Sequence, residues 1–355
     1  MRVEARTIAR AAAALVTSTI VAASVACGGG QSQQQATSAA MAPPAPKVLT
    51  AAERASWYQD CWAQFNNKAW DQFKACYADT VESDQVDSGQ PVAKGIDAML
   101  ANTKMFTGAF PDMKGTGQLI LVNGDTIAGV YLISGTHTGP LAGPGGPSIP
   151  ATNKPIGYLQ AHLAQTDSTG GKAVKEEFYA DSGTMMAQLG LSPGPARPVM
   201  TSTTAAPKVV VAAGTPAEMS NVEAARAQMA AFSNHDAKGV DAYNASDAVF
   251  HEMAMPKDQT AKESLAGTLD MFKAFPDAKL VPLSIWGAGD YVVVVGRFEG
   301  TNKGPMAAMG IKKATGKSVS VRFLDITRWE SGKIKEDRLF YDGMAFAGQL
   351  GMMGK

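Results

Sequence analysis

Two aspartates occupy positions from which protons could be moved. Asp181 closes Phe178-Tyr179-Ala180-Asp181 and Asp342 closes Phe340-Tyr341-Asp342, and seven positions after each aspartate a Gln-Leu-Gly begins, at 188–190 and 349–351. A carboxylate in a dry pocket serves as acid or base when desolvation raises its pKa toward working pH. Strand alternation, counted back by twos, sets Tyr179, Glu177 and Lys175 on the face of Asp181, and Phe340, Arg338 and Glu336 on the face of Asp342. On that count Tyr179 and Glu177 accompany Asp181, while Arg338 holds Asp342 ionised and makes it a poorer proton donor. The competing reading is structural, because an aspartate just before a helix is a favoured N-cap. His137, in Gly-Thr-His-Thr-Gly beside a Pro/Gly-rich loop, is either a neutral imidazole for a carbonyl group or a loop anchor. His162 lies mid-strand, matched by Asp325 in the second half, and is either a ligand-binding or a structural residue. His235 and His251 read as surface residues. None of these histidines falls in HxxxH or HExxH spacing, so no metal site is expected.

The elements that must position these residues occur twice. Ala109-Phe110-Pro111-Asp112 returns 165 positions later as Ala274-Phe275-Pro276-Asp277, and Gly135-Thr136 with Gly139-Pro140 returns at the same offset as Gly300-Thr301 with Gly304-Pro305. The aspartates are 161 apart, so the second copy is shorter in its loops. A unit of this length is a whole domain rather than a solenoid module. Helical spacing of Trp57, Cys61, Trp62 and Phe65 predicts a helix over 51–66, followed by a short one over 70–77, an irregular stretch, and a third over 96–106. Strands are expected over 117–122, 126–134, 156–165 and 173–180, with turn residues between them. The second copy keeps the order, with helices over 222–232 and 264–275 and strands over 291–298, 318–329 and 333–341. Helices followed by an antiparallel sheet define an α+β fold.

A chain of 355 residues is long enough for two domains, and 45% hydrophobic with 18% charged residues is globular composition. Lys+Arg and Asp+Glu are 32 each, which leaves no basic footprint for nucleic acid. Residues 1–27 read as an export signal: Arg2, Arg6 and Arg10, an apolar run, then Ala26 before Cys27. Val25-Ala26-Cys27-Gly28 resembles a bacterial lipoprotein signal, with Ser24 where such signals carry Leu. That resemblance implies lipidation of Cys27 and an exported protein anchored to the cell envelope, outer membrane or periplasm. The alternative is a plain secretory signal. Residues 28–47 read as a tether and 192–215 as a linker containing the apolar Val209-Val210-Val211, leaving domains at 48–191 and 216–355. Cys61 and Cys76 sit on consecutive predicted helices, and in an exported protein they are either a disulfide or two free thiols. The methionines of the second copy (Met306, Met309, Met344, Met352, Met353) read as soft core or pocket lining.

Each copy resembles the SnoaL-like polyketide (ester) cyclase family of the nuclear-transport-factor-two-like superfamily. In the first copy the matching pieces are Phe65-Asn66-Asn67 with Trp70, Ala109 to Asp112, Gly135 to Pro140, and Asp181 with Gln188-Leu189-Gly190. In the second they are Ala274 to Asp277, Gly300-Thr301, Gly332-Lys333-Ile334, and Asp342 with Gln349-Leu350-Gly351. The resemblance implies two tandem cone-shaped α+β barrels, each enclosing an apolar pocket for a small hydrophobic ligand. It further implies an acid/base role for Asp181 and Asp342 in intramolecular aldol ring closure without metal or organic cofactor. The two domains are expected to pair within one chain, and further oligomerisation stays open. Non-catalytic ligand binding and a purely structural envelope module are the alternatives, since this fold hosts enzymes and binders alike.

Overall fold

The computed structural model describes residues 47–142, 148–192, 197–202 and 205–353. The expected signal peptide, Cys27 and nearly all of the expected tether lie outside the described residues. The first repeat runs α1 (Ala51–Asn66), α2 (Trp70–Ala75), β1 (Tyr77–Gln85), β2 (Ala93–Lys94), α3 (Ile96–Ala109), β3 (Lys114–Asn123), β4 (Thr126–Thr136), β5 (Pro155–Thr166), β6 (Ala173–Tyr179) and α4 (Ser182–Gln188). After β7 (Lys208–Val211), the second repeat runs α5 (Pro216–Ser233), α6 (Ala237–Asp241), β8 (Asn244–Glu252), β9 (Gln259–Thr260), α7 (Ala261–Ala274), β10 (Lys279–Ala288), β11 (Tyr291–Thr301), β12 (Ser318–Glu330), β13 (Lys333–Phe340) and α8 (Gly343–Gln349).

Local chemistry sets these boundaries. Capping boxes open both long first helices: Thr50 with Glu53 for α1, Thr215 with Glu218 for α5. α3 and α7 stop at Phe110 and Phe275, because the following proline disfavours helical geometry there. Two stretches correct the sequence reading. The irregular region after α2 contains β1, whose polar residues and register shift between Tyr77 and Glu82 conceal any alternation. The linker contains β7, which pairs in parallel with β3 and covers that sheet edge.

The strand orders are β2-β1-β6-β5-β4-β3-β7 and β10-β11-β12-β13-β8-β9. Both are curved open sheets of the cone fold, not closed barrels, since each ends in two edge strands. Their central strands β4, β5 and β11 are buried on both faces over most of their length. In the first sheet Ile120, Val122, Ile127 and Tyr131 point toward the helices, whereas Leu119, Leu121, Ala128 and Val130 point away. The outward set packs against Val293, Val295, Leu324, Ile326 and Phe340 of the second sheet in one core. The two repeats therefore pair sheet to sheet within one chain.

The repeated motifs hold this scaffold. Asp112 accepts the backbone and side-chain bonds of Thr136, each 2.7 Å long, and Asp277 accepts the Thr301 N–H at 2.7 Å. Gly139 lies so close to α3 that a Cβ there would meet the Gly108 carbonyl at 2.1 Å. Gln188 clamps both the N–H and the C=O of Gly157, at 2.9 and 3.0 Å, and Gln349 does the same to Ser320 at 2.7 and 3.0 Å. Gly190 and Gly351 then take left-handed backbone, φ 71° and 70°, where glycine stops a helix without strain.

Candidate active site

The concave side of the first sheet and its helices enclose a cavity of about 690 Å³. That volume falls within the range of about 300–1,000 Å³ usual for small-molecule sites. Its walls are mostly aromatic and aliphatic, with Trp62, Phe65, Phe73, Phe178 and Met185 among them. At its depth lies Glu176, buried on β6. Tyr58 from α1 donates to its Oε1 at 2.9 Å, and Tyr77 from β1 donates to its Oε2 at 2.8 Å. His162 from β5 places Nδ1 3.6 Å from Glu176 Oε1, longer than a hydrogen bond, between Trp62, Tyr131 and Phe178. Neither ring nitrogen of His162 has a hydrogen-bond partner among the described residues. Burial lowers its pKa, and Glu176 opposes that shift without reversing it. Burial, reinforced by the Glu176 charge, raises the phenol pKa values of Tyr58 and Tyr77, so both remain hydrogen-bond donors. Gln160, two residues before His162 on the same strand face, also lines the cavity.

This arrangement corrects the strand phase expected for β6. Glu176, Phe178 and Ala180 face the cavity, whereas Tyr179 and Glu177 face the second repeat. Tyr179 donates to Glu177 at 2.8 Å, and Glu177 lies 2.8 Å from Lys175 and 3.6 Å from Arg322. Asp181 caps α4, accepting from the N–H groups of Gly183 and Thr184 at 3.3 and 2.6 Å, and reaches across to the Gly343 N–H at 2.9 Å. Asp342 caps α8 through the Ala345 N–H at 3.0 Å and accepts from the Ser182 hydroxyl of the first repeat. The two aspartates thus tie the paired helices to each other. Arg338 does not hold Asp342 ionised: it pairs with Glu336 at 2.5 Å, and burial pushes Asp342 up to about 6. Phe340 is core between the sheets.

His137 is also placed away from the cavity. Its Nδ1 accepts the Thr152 N–H at 3.2 Å and lies 3.1 Å from the Thr152 hydroxyl, while the ring stacks on Phe110. Asn302 does equivalent work in the second repeat, accepting from the Thr315 N–H at 2.7 Å and donating to the Gly304 carbonyl at 2.8 Å. His251 is half-buried rather than superficial, 3.0 Å from Asp258 and 3.3 Å from Glu336. Of the acid/base and ligand candidates singled out in sequence, His162 lies in the cavity and Asp342 reaches its wall from the second repeat, where Met344 and Met353, read as core or pocket lining, also lie. Glu176, Tyr58, Tyr77 and Gln160 were missed. A correct strand phase, anchored on His162 through its pairing with Phe178, would have identified Glu176.

The second repeat has different polar groups at these positions. Asp325 faces Val294 as His162 faces Gly129, and Asp337 pairs with Thr327 as Glu176 pairs with Ala164. Burial raises both carboxyls, Asp325 further through the neighbouring charge of Asp337, and Asp337 to about 7. A disulfide joins Cys61 of α1, which lines the first cavity, to Cys76.

Two helix-covered cone sheets, paired back to back, with a polar cluster inside an apolar cavity, define a tandem nuclear-transport-factor-two-like protein. The SnoaL-like polyketide cyclase family model matches residues 52–189 and again 222–350, and the chain belongs to that family. Solved structures are similar to a part of the chain. A provisionally assigned hydroxylase, AclR from Streptomyces galilaeus, is 20% identical, with 39% of this chain and 99% of that chain covered at a TM-score of 0.35. A provisionally assigned SnoaL-like polyketide cyclase from Jannaschia sp. CCS1 is 19% identical, with 39% and 97% covered at a TM-score of 0.36. TsrD from Streptomyces laurentii is 21% identical, with 38% and 97% covered at a TM-score of 0.34. No curated protein matches the chain.

Proposed function

We propose that the first repeat binds a small hydrophobic carbonyl compound and moves a proton on the carbon beside that carbonyl. The observation carrying this reading is the His162–Glu176 pair, held by Tyr58 and Tyr77 at the depth of an apolar cavity. Neutral His162 takes the proton, and Glu176 then faces an imidazolium it stabilises. The Gln160 amide donates to the enolate oxygen as charge develops there. In a ligand with a second carbonyl, the enolate carbon attacks it, a carbon–carbon bond forms, and the alkoxide recovers the proton from His162. That sequence is an aldol closure balanced in atoms and electrons. Asp181, expected as the acid/base, serves in this reading as a helix tie.

Solvent deuterium exchange into a panel of hydrophobic 1,3-diketones, followed by proton NMR, tests the proposal. The native protein accelerates exchange, His162→Asn lowers the enzymatic rate by about a hundredfold, within the usual contribution of a positioned base, and Asp181→Asn mainly lowers the melting temperature. The rate is expected to rise with pH and to level off below the pKa of free imidazole, because burial depresses His162. Equal exchange in the native protein and His162→Asn would sink the catalytic role, and retained diketone binding would then favour a binding domain without chemistry.

We also propose export with a lipid anchor. The Cys61–Cys76 disulfide supports this, since such bonds persist in oxidising compartments. Mass spectrometry of the mature N-terminus is expected to find acylated Cys27, and an unmodified start elsewhere ends the proposal.

A further inference from the structure

The wall of the first cavity is not made by the first repeat alone. Asp342, Met344, Ala345 and Gly348 from α8 of the second repeat, and Met353 after it, line the same space as Trp62, His162 and Glu176. Gly348 and Met353 are exposed, as are Gly89, Pro91 and Met105 of the first repeat, so this is the rim where the cavity meets solvent. Met344 is half-buried, and a Cβ at Gly183 would lie 3.4 Å from its side chain. The reciprocal ties at α4 and α8, Asp181 to the Gly343 N–H and Ser182 to Asp342, fix the position of that wall. Unbranched methionine side chains on such a wall adapt to guests of different shape.

We propose that the second repeat is the specificity element of the first repeat's site: Met344 and Met353 set the width of the cavity mouth and so decide which ligands pass. The inference rests on the ligand-binding part of the function proposed above, and assigns ligand selection to a domain that need perform no chemistry itself. Duplication within one chain makes that division of labour available, because the second copy is always in place beside the first.

The test uses full-length chain and two planar aromatic probes, two-ring 2-naphthol and four-ring 1-hydroxypyrene. Binding is read by probe fluorescence anisotropy, excited beyond the tryptophan band. Met344→Trp and Met353→Trp should weaken 1-hydroxypyrene by about tenfold or more, the scale of a packing clash, with little change for 2-naphthol. Met344→Ala should release 1-hydroxypyrene faster. Leu283→Trp, at an exposed position on β10, is the control and should change neither probe. Variants with native melting temperature and unchanged selectivity overturn this inference alone. If the native protein binds neither probe, the binding reading falls with it.

Discussion

Asp325 and Asp337 show how one register can carry two chemistries. Where the first repeat has a histidine and a glutamate braced by phenols, the second has two carboxyls that favour their neutral forms. Because the folded state raises their pKa values, their contribution to stability is full below the ordinary carboxylate pKa. It is lost as pH rises through about 7, the value for Asp337. Asp325→Asn removes one charge while keeping the shape, so the variant should gain on the native protein with rising pH. Urea unfolding is expected to show near parity only below about pH 4, the ordinary carboxylate range, and a gain of at least about 1 kcal/mol at about pH 8. A difference independent of pH would refute the account. The sequence revealed the positions of these residues but not their phase. Lys175, Glu176 and Glu177 are consecutive on a strand buried on both faces, so polarity does not say which of them looks into the cavity. Counting from Asp181 selected Glu177, whereas counting from His162 selects Glu176.

Among the elements, the long helices and hairpin strands were legible because caps, prolines and turn residues mark them. β1 escaped because five of its nine residues, Asp79, Thr80, Glu82, Ser83 and Asp84, are acidic or carry an aliphatic hydroxyl and its pairing shifts register. It nevertheless supplies Tyr77, one of the two phenols on Glu176. The disulfide ties the start of that strand to α1, which carries the other phenol, Tyr58. The two cysteines are 15 positions apart, and closing a loop of that size is worth about 3 kcal/mol in the chain-entropy account. Reductant should therefore destabilise the native protein by about that amount in urea unfolding, while leaving the Cys61→Ser, Cys76→Ser double variant unaffected. Reductant should also weaken 2-naphthol binding to the native protein, since α1 and β1 brace the floor of the cavity. Equal reductant sensitivity in both proteins would show that the bond does not act as this brace.

For the molecule as a whole, the repeat made two paired domains legible, but their contact left no separate mark in sequence. Strands with apolar residues on both faces suit a buried sheet as well as a sheet that meets a second one. In the fold the outward residues of both sheets merge in one core, and Arg322 of β12 reaches Asp84 at 2.7 Å across the junction. The pair is largely buried, so its desolvation cost offsets much of its Coulombic gain, and the apolar core carries the pairing. Ile326, almost fully buried in that core, is the place to test it. Ile326→Asp places an unpaired carboxylate between the sheets, a cost of several kcal/mol. The native protein should melt in one calorimetric transition and the variant in two, one for each repeat. Loss of the pairing also removes α8 from the first cavity, so the same variant should bind 1-hydroxypyrene with less discrimination against its size. Two transitions with native discrimination would show that α8 keeps its place without the sheet-to-sheet core, held by the Asp181 and Asp342 ties alone.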